Sequence, residues 1–317
     1  MVKGKVVRIE SKDVYVLTEK NEEIRCIVPG RIKKQFLLKK DKLKTLDIVT
    51  VGDFVEFEIK NTGGEITGVI EKIEERKNYV SRKAPKIRGR GIKGERLEQT
   101  VAANVDMLAI VASAKSPQFN NRFVDRMLVI SESSDVEPLI IINKIDLDKE
   151  KTYLKWKTLY EEIGYNVIEA SATERINIDE ILSSLKNKTT IFWGRSGVGK
   201  SSMLNALFPG LNLKVGEISD YSDKGKHTTV TSRLIKISDE YEVIDTPGVR
   251  EIEPYGITKE DLGHYFIEFR NYIPDCRFNS CTHYHEPGCA VRDAVEKKEI
   301  SAERYQSYIN LLLTVEE

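Results

Sequence analysis

Only four cysteines occur in the 317 residues, too few to hold a chain of this size together as a disulfide scaffold. Three of them fall within one short stretch, CRFNSCTHYHEPGC, from Cys276 to Cys289. The fourth, Cys26, stands alone in a strand-like run and reads as a small core hydrophobe. Long apolar runs are missing as well: none approaches the roughly 20 residues that span a bilayer. The first ten residues, MVKGKVVRIE, alternate charged and apolar side chains and lack the apolar block of a signal peptide. A cytoplasmic protein without membrane contact is therefore expected, and nothing marks an obligate dimer, so the expectation is a monomer.

Net charge is absent too, since 50 Lys and Arg balance 50 Asp and Glu. The balance hides an asymmetry. Residues 1–98 carry 24 basic against 16 acidic side chains, a surplus suited to a polyanion. Much of it lies in RKNYVSRKAPKIRGRGIKGER, Arg76 to Arg96, which has nine basic residues and one acid. Its Pro85, its three glycines and its lack of periodicity predict a flexible, extended segment. It reads either as a solvated linker or as a nucleic-acid contact.

Three textures follow one another along the chain. Residues 1–73 show short runs with period-two alternation, KVVRIE, DVYVLTE, EIRCIVPG, DFVEFEIK and EITGVIEKI. Five such strands predict a small β-barrel of the OB type. After a basic linker at 74–98, residues 99–254 alternate buried-type strands (VDMLAIVASA, PLIIIN, NVIEAS, TTIFWG, RLIKIS, YEVIDT) with helical stretches, the pattern of an α/β domain with a largely parallel sheet. Residues 255–317 read as helical around the cysteine cluster, with Leu262, Phe266, Phe269 and Ile273 at helical spacing.

The strand TTIFWG runs into GRSGVGKS and then into the helical run KSSMLNALF, which is the setting a phosphate-binding P-loop requires. The stretch Gly194, Arg195, Ser196, Gly197, Val198, Gly199, Lys200, Ser201, Ser202 can curl its N–H groups around phosphates at a helix N-terminus. Lys200 would reach the β- and γ-phosphates and the Ser201 hydroxyl a Mg²⁺ ion. DTPG, Asp245 to Gly248, follows the strand YEVI; Asp245 suits the Mg²⁺ shell and the Gly248 N–H the γ-phosphate.

The base-reading motif precedes the P-loop. NKID places Asn143, Lys144 and Asp146 at the end of PLIII, and Asp146 can accept from both guanine N1–H and the N2 amine, groups adenine does not offer. SAT, with Ser171 and Ala172, sits at another strand end and can present an N–H to the guanine O6. Strand C-termini are where open α/β sheets bind ligands. The motif order is thus that of a GTPase domain circularly permuted in sequence, binding GTP and GDP.

The permuted order, the preceding barrel, DMLAIVASAKSPQFNNRFVDRMLV, GRSGVGKSSMLNAL and CRFNSCTHYHEPGCAVRDAV together resemble the ribosome small-subunit-dependent GTPase A family over nearly the whole chain. The resemblance implies an OB-fold barrel that binds RNA, a C-terminal zinc domain, and a GTPase stimulated by the small ribosomal subunit and its rRNA during late subunit maturation. It also implies the zinc ligands Cys276, Cys281, His283 and Cys289, a closed Cys₃His site. His285 is chemically competent too, and the family spacing selects His283.

One further residue is lacking. Familiar GTPases orient the attacking water with a glutamine after Asp-x-x-Gly; here Val249 stands in that place, so slow intrinsic turnover is expected. GKHTTV, from Gly225 to Val230, occupies the switch position. Either Thr228 or Thr229 closes on Mg²⁺ and the γ-phosphate, and His227 either positions or deprotonates water or contacts RNA. Two rival readings remain: a GTP-gated rRNA-binding scaffold with incidental turnover, and an ATP-using P-loop enzyme, against which NKID argues.

Overall fold

In the computed structural model, residues 1–32, 47–62, 65–83, 98–211, 232–246 and 253–315 are described. His227, Thr228, Thr229 and Gly248 of the sequence reading lie outside them, as do Pro85 and the basic residues from Lys86 to Arg96.

The five alternating runs form β1 (Val2–Glu10), β2 (Asp13–Thr18), β3 (Glu23–Ile27), β4 (Phe54–Thr62) and β5 (Glu65–Ile73). They close into a barrel in the order β1-β2-β3-β5-β4. Its inward set is the alternate residues Val6, Val14, Val16, Ile24, Cys26, Val55, Phe57 and Ile70, as a half-buried period-two pattern dictates. Cys26 is a core residue, and burial pushes its thiol up to about 12, the behaviour of an inert packing group.

Part of the expected linker is strand. β6 (Tyr79–Lys83) pairs antiparallel with β7 (Glu98–Ala103), because Val80 drops into the central core with Val101 and Ala102. At its start Arg76 makes a two-pronged bond to Asp53, a carboxylate with no solvent exposure, at 2.7 and 3.0 Å.

The α/β domain has a six-stranded sheet in the order β10-β9-β8-β11-β13-β12, built from β8 (Met107–Ser113), β9 (Glu137–Asn143), β10 (Asn166–Glu169), β11 (Lys188–Gly194), β12 (Arg233–Lys236) and β13 (Tyr241–Asp245). All neighbours pair parallel except the β12 edge. In β8 every residue is buried, and alternation sends Leu108, Ile110 and Ala112 to one core and Met107, Ala109 and Val111 to the other. The first face is covered by α1 (Asn121–Ser133) and α2 (Leu154–Ile163), the second by α3 (Ile178–Leu185) and α4 (Lys200–Leu207). Parallel strands covered on both faces need such continuous apolar runs.

The barrel sits against the β12 edge of this sheet. Tyr15 and Leu17 pack on the core that holds Leu234 and Ile244. Lys5 Nζ donates to Glu242 at 2.5 Å and to the Thr189 hydroxyl at 2.9 Å.

In the C-terminal part, the stretch before the cysteine cluster departs from the helical expectation. Leu262–Tyr265, Ile267–Phe269 and Ile273–Asp275 are three short 3₁₀ turns, not one α-helix. Phe266 has an extended backbone between the first two, at φ −100° and ψ 94°, so its apolar spacing serves a folded-back chain. Only α5 (Ala290–Glu296) and α6 (Ala302–Leu312) are α-helical among the described residues here. Phe266, Phe269, Tyr308, Leu311 and Leu312 form a core that also takes in Val129 of α1.

Candidate nucleotide site and metal centre

The parallel register brings the C-terminal ends of β8, β9 and β11 together, with Ser113 opposite Asn143 and Gly194 opposite Val111. Asn143 is almost fully buried there. Its Nδ2 donates to the Val198 carbonyl at 2.9 Å and its Oδ1 accepts from the Ala172 N–H at 3.1 Å. One side chain therefore ties NKID to both the P-loop and the SAT loop. Lys144, at φ 64°, lies across the same loops and donates to the carbonyls of Gly197 at 2.5 Å and Ser116 at 2.6 Å. Asp146 stands in the 3₁₀ turn Ile145–Leu147, and its Oδ1 is shut off from solvent with no hydrogen-bond partner among the described residues. A buried carboxylate oxygen left without a donor is costly, and the guanine N1–H and N2 amine are donors of the required kind. Ser171 turns inward, accepting from the Glu174 N–H at 3.1 Å, and this holds the loop that carries Ala172.

In the P-loop, Arg195, Ser196 and Gly197 are exposed while Val198 is buried. Gly199 precedes α4 at φ 93°, and a Cβ there would lie 2.4 Å from Asn143 Nδ2. Glycine is required at that point on both counts. Lys200, Ser201 and Ser202 open α4, so their N–H groups belong to a helix N-terminus. Lys200 Nζ stands 3.8 Å from Asp245 Oδ1, each side chain only 13% exposed. Burial lowers the Lys200 pKa against the pull of Asp245, and burial raises that of Asp245 against the pull of Lys200. Asp245 Oδ1 has no hydrogen-bond partner among the described residues. A lysine at the start of α4 and an under-satisfied carboxylate at the end of β13 suit phosphate oxygens and a hard divalent cation.

Two contributors went unread in the sequence. Ser116 and Pro117 form a wall of the site: besides the Lys144 bond, Pro117 Cδ comes within 3.7 Å of a Cβ position at Gly197. Arg175 Nη1 donates to the Ala206 carbonyl at 3.2 Å, satisfying the C-terminal end of α4 from the SAT loop. A proline in a βα loop signals a fixed turn, but nothing in sequence pairs it with a P-loop.

Cys276, Cys281, His283 and Cys289 come together, all ligand atoms within 4.8 Å of one another. His283 Nδ1 lies 3.5 Å from the sulfurs of both Cys276 and Cys289. Zn–S and Zn–N bonds of about 2.3 and 2.05 Å in a tetrahedron give an S···N edge of about 3.6 Å, so the donor set fits that ion. Burial lowers the His283 pKa, the direction that favours the neutral, ligating ring. His285 is exposed and outside the cluster.

The family model for RsgA GTPase matches residues 73–254. Small ribosomal subunit biogenesis GTPase RsgA of Phocaeicola vulgatus is 38% identical over 319 residues, covering 100% of this chain and 98% of that protein. The protein of that name from Chlorobaculum tepidum is 39% identical over 311 residues, covering 98% and 96%. Among solved structures, YjeQ from Thermotoga maritima aligns with a TM-score of 0.75 at 32% identity, covering 98% of this chain and 97% of that one. YloQ, described as a circularly permuted GTPase, aligns with a TM-score of 0.70 at 30% identity, covering 99% and 95%.

Proposed function

The chain belongs to the RsgA GTPase family, a family of GTP hydrolases, and from that premise we propose that it hydrolyses GTP on the small ribosomal subunit late in its maturation, with GTP favouring the bound state and hydrolysis favouring release. The relatives named above carry small ribosomal subunit biogenesis in their names. The observation that carries the nucleotide reading is Asn143, whose amide joins the three loops for base, phosphate and guanine O6, beside the unpartnered Asp146 Oδ1.

In this reading Asp146 selects guanine, the SAT loop, held in place by the bond from the Ala172 N–H to Asn143, borders the guanine O6, and Lys144 covers the base plane. The N–H groups from Gly194 to Ser202 hold the phosphates, and Lys200 leaves Asp245 for the β- and γ-oxygens. A Mg²⁺ ion held by Ser201 and Asp245 would neutralise charge building on those phosphates. Val249 cannot orient water, so another group must; His227 is our assignment for positioning or deprotonating water, either Thr228 or Thr229 for closing on Mg²⁺ and the γ-phosphate, and the Gly248 N–H for the γ-phosphate. Cys276, Cys281, His283 and Cys289 hold zinc, which stabilises the fold of residues 255–317 and takes no part in chemistry. The barrel and the basic segment ending at Arg96 contact rRNA. Among the described residues, no helix is long and apolar enough to cross a membrane.

The test is turnover of GTP and ATP with and without purified small subunits. GTP hydrolysis that rises at least tenfold with subunits, with ATP inert, is the expected result. GTP-dependent subunit binding without stimulated turnover would favour the scaffold reading.

A further inference from the structure

His283 reaches the metal centre from a turn that other residues hold on several sides. The turn needs holding, because His283 itself has φ 52°, in the left-handed region that side-chain-bearing residues avoid. Glu286 supplies the main restraint. Its Oε1 accepts from the Thr282 N–H at 3.0 Å and the Thr282 hydroxyl at 2.5 Å. Its Oε2 accepts from the N–H groups of Tyr284 at 3.1 Å and His285 at 3.2 Å. One carboxylate thus gathers the amides on both sides of the ligand residue. Burial alone would raise this carboxyl, but the bonds from Thr282 and the neighbouring amides hold it down to about 2.

The carbonyls of the turn are held by α6. Tyr308 donates to the Thr282 carbonyl at 2.6 Å and Tyr305 to the His283 carbonyl at 2.8 Å. Behind the imidazole stands the backbone of Gly263, where a Cβ would lie 2.8 Å from His283 Cδ2 and 2.9 Å from Nε2. Only a glycine lets the ring back onto the chain here, and that seating leaves Nδ1 facing the two sulfurs at 3.5 Å.

We propose that Glu286 and Gly263 are positioning residues of the metal centre, Glu286 fixing the turn and Gly263 the ring, so that His283 Nδ1 and not His285 is the fourth ligand. The proposal rests on the zinc reading of the cluster. Partners of this outer kind typically change metal affinity by about 10- to 100-fold.

Zinc transfer from the full-length protein to a chromophoric chelator measures affinity, and the visible spectrum of the cobalt-substituted protein reports the donor set. Glu286→Gln keeps the side-chain shape and removes one of the two acceptors; Gly263→Ala adds the clashing methyl. Each is expected to hold zinc about 10- to 100-fold more weakly and to shift the cobalt bands as the nitrogen donor is lost. GTP-analogue binding and far-UV dichroism should stay at wild-type values. Glu286→Asp, which restores the charge, should recover part of the affinity, and His285→Ala should change nothing. Wild-type affinity and spectrum in both Glu286→Gln and Gly263→Ala would overturn the positioning roles, and zinc loss in His285→Ala would overturn the ligand choice. A wild-type protein that takes up neither ion would overturn the zinc reading itself, and the proposal with it.

Discussion

Arg304 Nη1 donates to Asp125 Oδ1 at 2.6 Å, and neither side chain is more than 1% exposed. Arg304 lies on α6 and Asp125 on α1, so the pair joins the C-terminal part to the GTPase sheet through a helix that covers one of its faces. The same guanidinium bonds Glu268 at 2.6 and 3.0 Å, and the Tyr160 hydroxyl donates to the same Asp125 oxygen at 2.7 Å. One turn on, Asn121 donates to the Ser307 hydroxyl at 3.2 Å. Since α6 also carries Tyr305 and Tyr308, a single helix touches the metal turn with one face and α1 with another.

Arg304→Met should therefore cost about 3–5 kcal/mol, because it leaves Asp125 and Glu268 buried without their counter-charge. Urea denaturation should show a lower midpoint. Adding Asp125→Leu should return part of the loss, since removing both charges leaves fewer orphans than removing one. An Arg304→Met midpoint equal to the wild type would show that the joint contributes no stability.

Gly199→Ala tests the local geometry of the phosphate loop. At φ 93°, with Asn143 Nδ2 2.4 Å from the new methyl position, alanine must both strain the backbone and displace the amide that ties the loops. The expected loss is about 3 kcal/mol, or over a hundredfold, in GTP and GDP affinity alike, measured by titration calorimetry. Retained affinity would mean that the Asn143 tie is dispensable.

The barrel was legible because its strands bury alternate residues, and the sheet because strands covered on both faces are continuous apolar runs; β8, buried at every residue and divided between two cores, is the plainest case of the second. The loop motifs stood out because phosphate and guanine demand particular residue types at strand ends, and Asn143 brings those loops together. The 3₁₀ turns after Leu262 were not. Their apolar spacing mimics a helix, and the chain folds back there to seat Gly263 against His283, a contact between positions 20 residues apart. Nor does any local pattern pair Asp125 with Arg304, 179 residues away. The β6 strand was hidden in a segment whose charge dominated its reading, although Val80 is buried in the central core and the strand pairs with β7.

Binding to the small subunit should be steeply salt-dependent, since each phosphate neutralised by a basic side chain releases counterions. Arg88, Arg90 and Lys93 lie outside the described residues, between two strands that are anchored. Replacing all three with Gln should reduce the slope of log K against log salt by about two to three and leave GTP affinity unchanged. A slope equal to that of the parent would return the segment to a linker.

Asp146→Asn should exchange one purine for another. In the native side chain both oxygens accept, and Oδ1 is buried without a donor, so guanine, presenting N1–H and an N2 amine, completes the site. An amide in the same place still accepts from N1–H through its oxygen but now directs an N–H at the second position. Facing the guanine amine, that is donor against donor; facing the C2 oxygen of xanthine, it is a hydrogen bond. Losing a bond to a charged acceptor and leaving a buried donor unpaired costs about 2–4 kcal/mol, so GTP affinity should fall by about 30- to 1,000-fold and xanthosine triphosphate should become the tighter ligand. The substitution adds no volume, and Asn143, Lys144 and the P-loop keep their bonds, so thermal stability without nucleotide should hold. Competition of both nucleotides against a fluorescent guanine analogue, followed by direct titration, measures the ratio. Unchanged GTP affinity would show that Asp146 does not read the base.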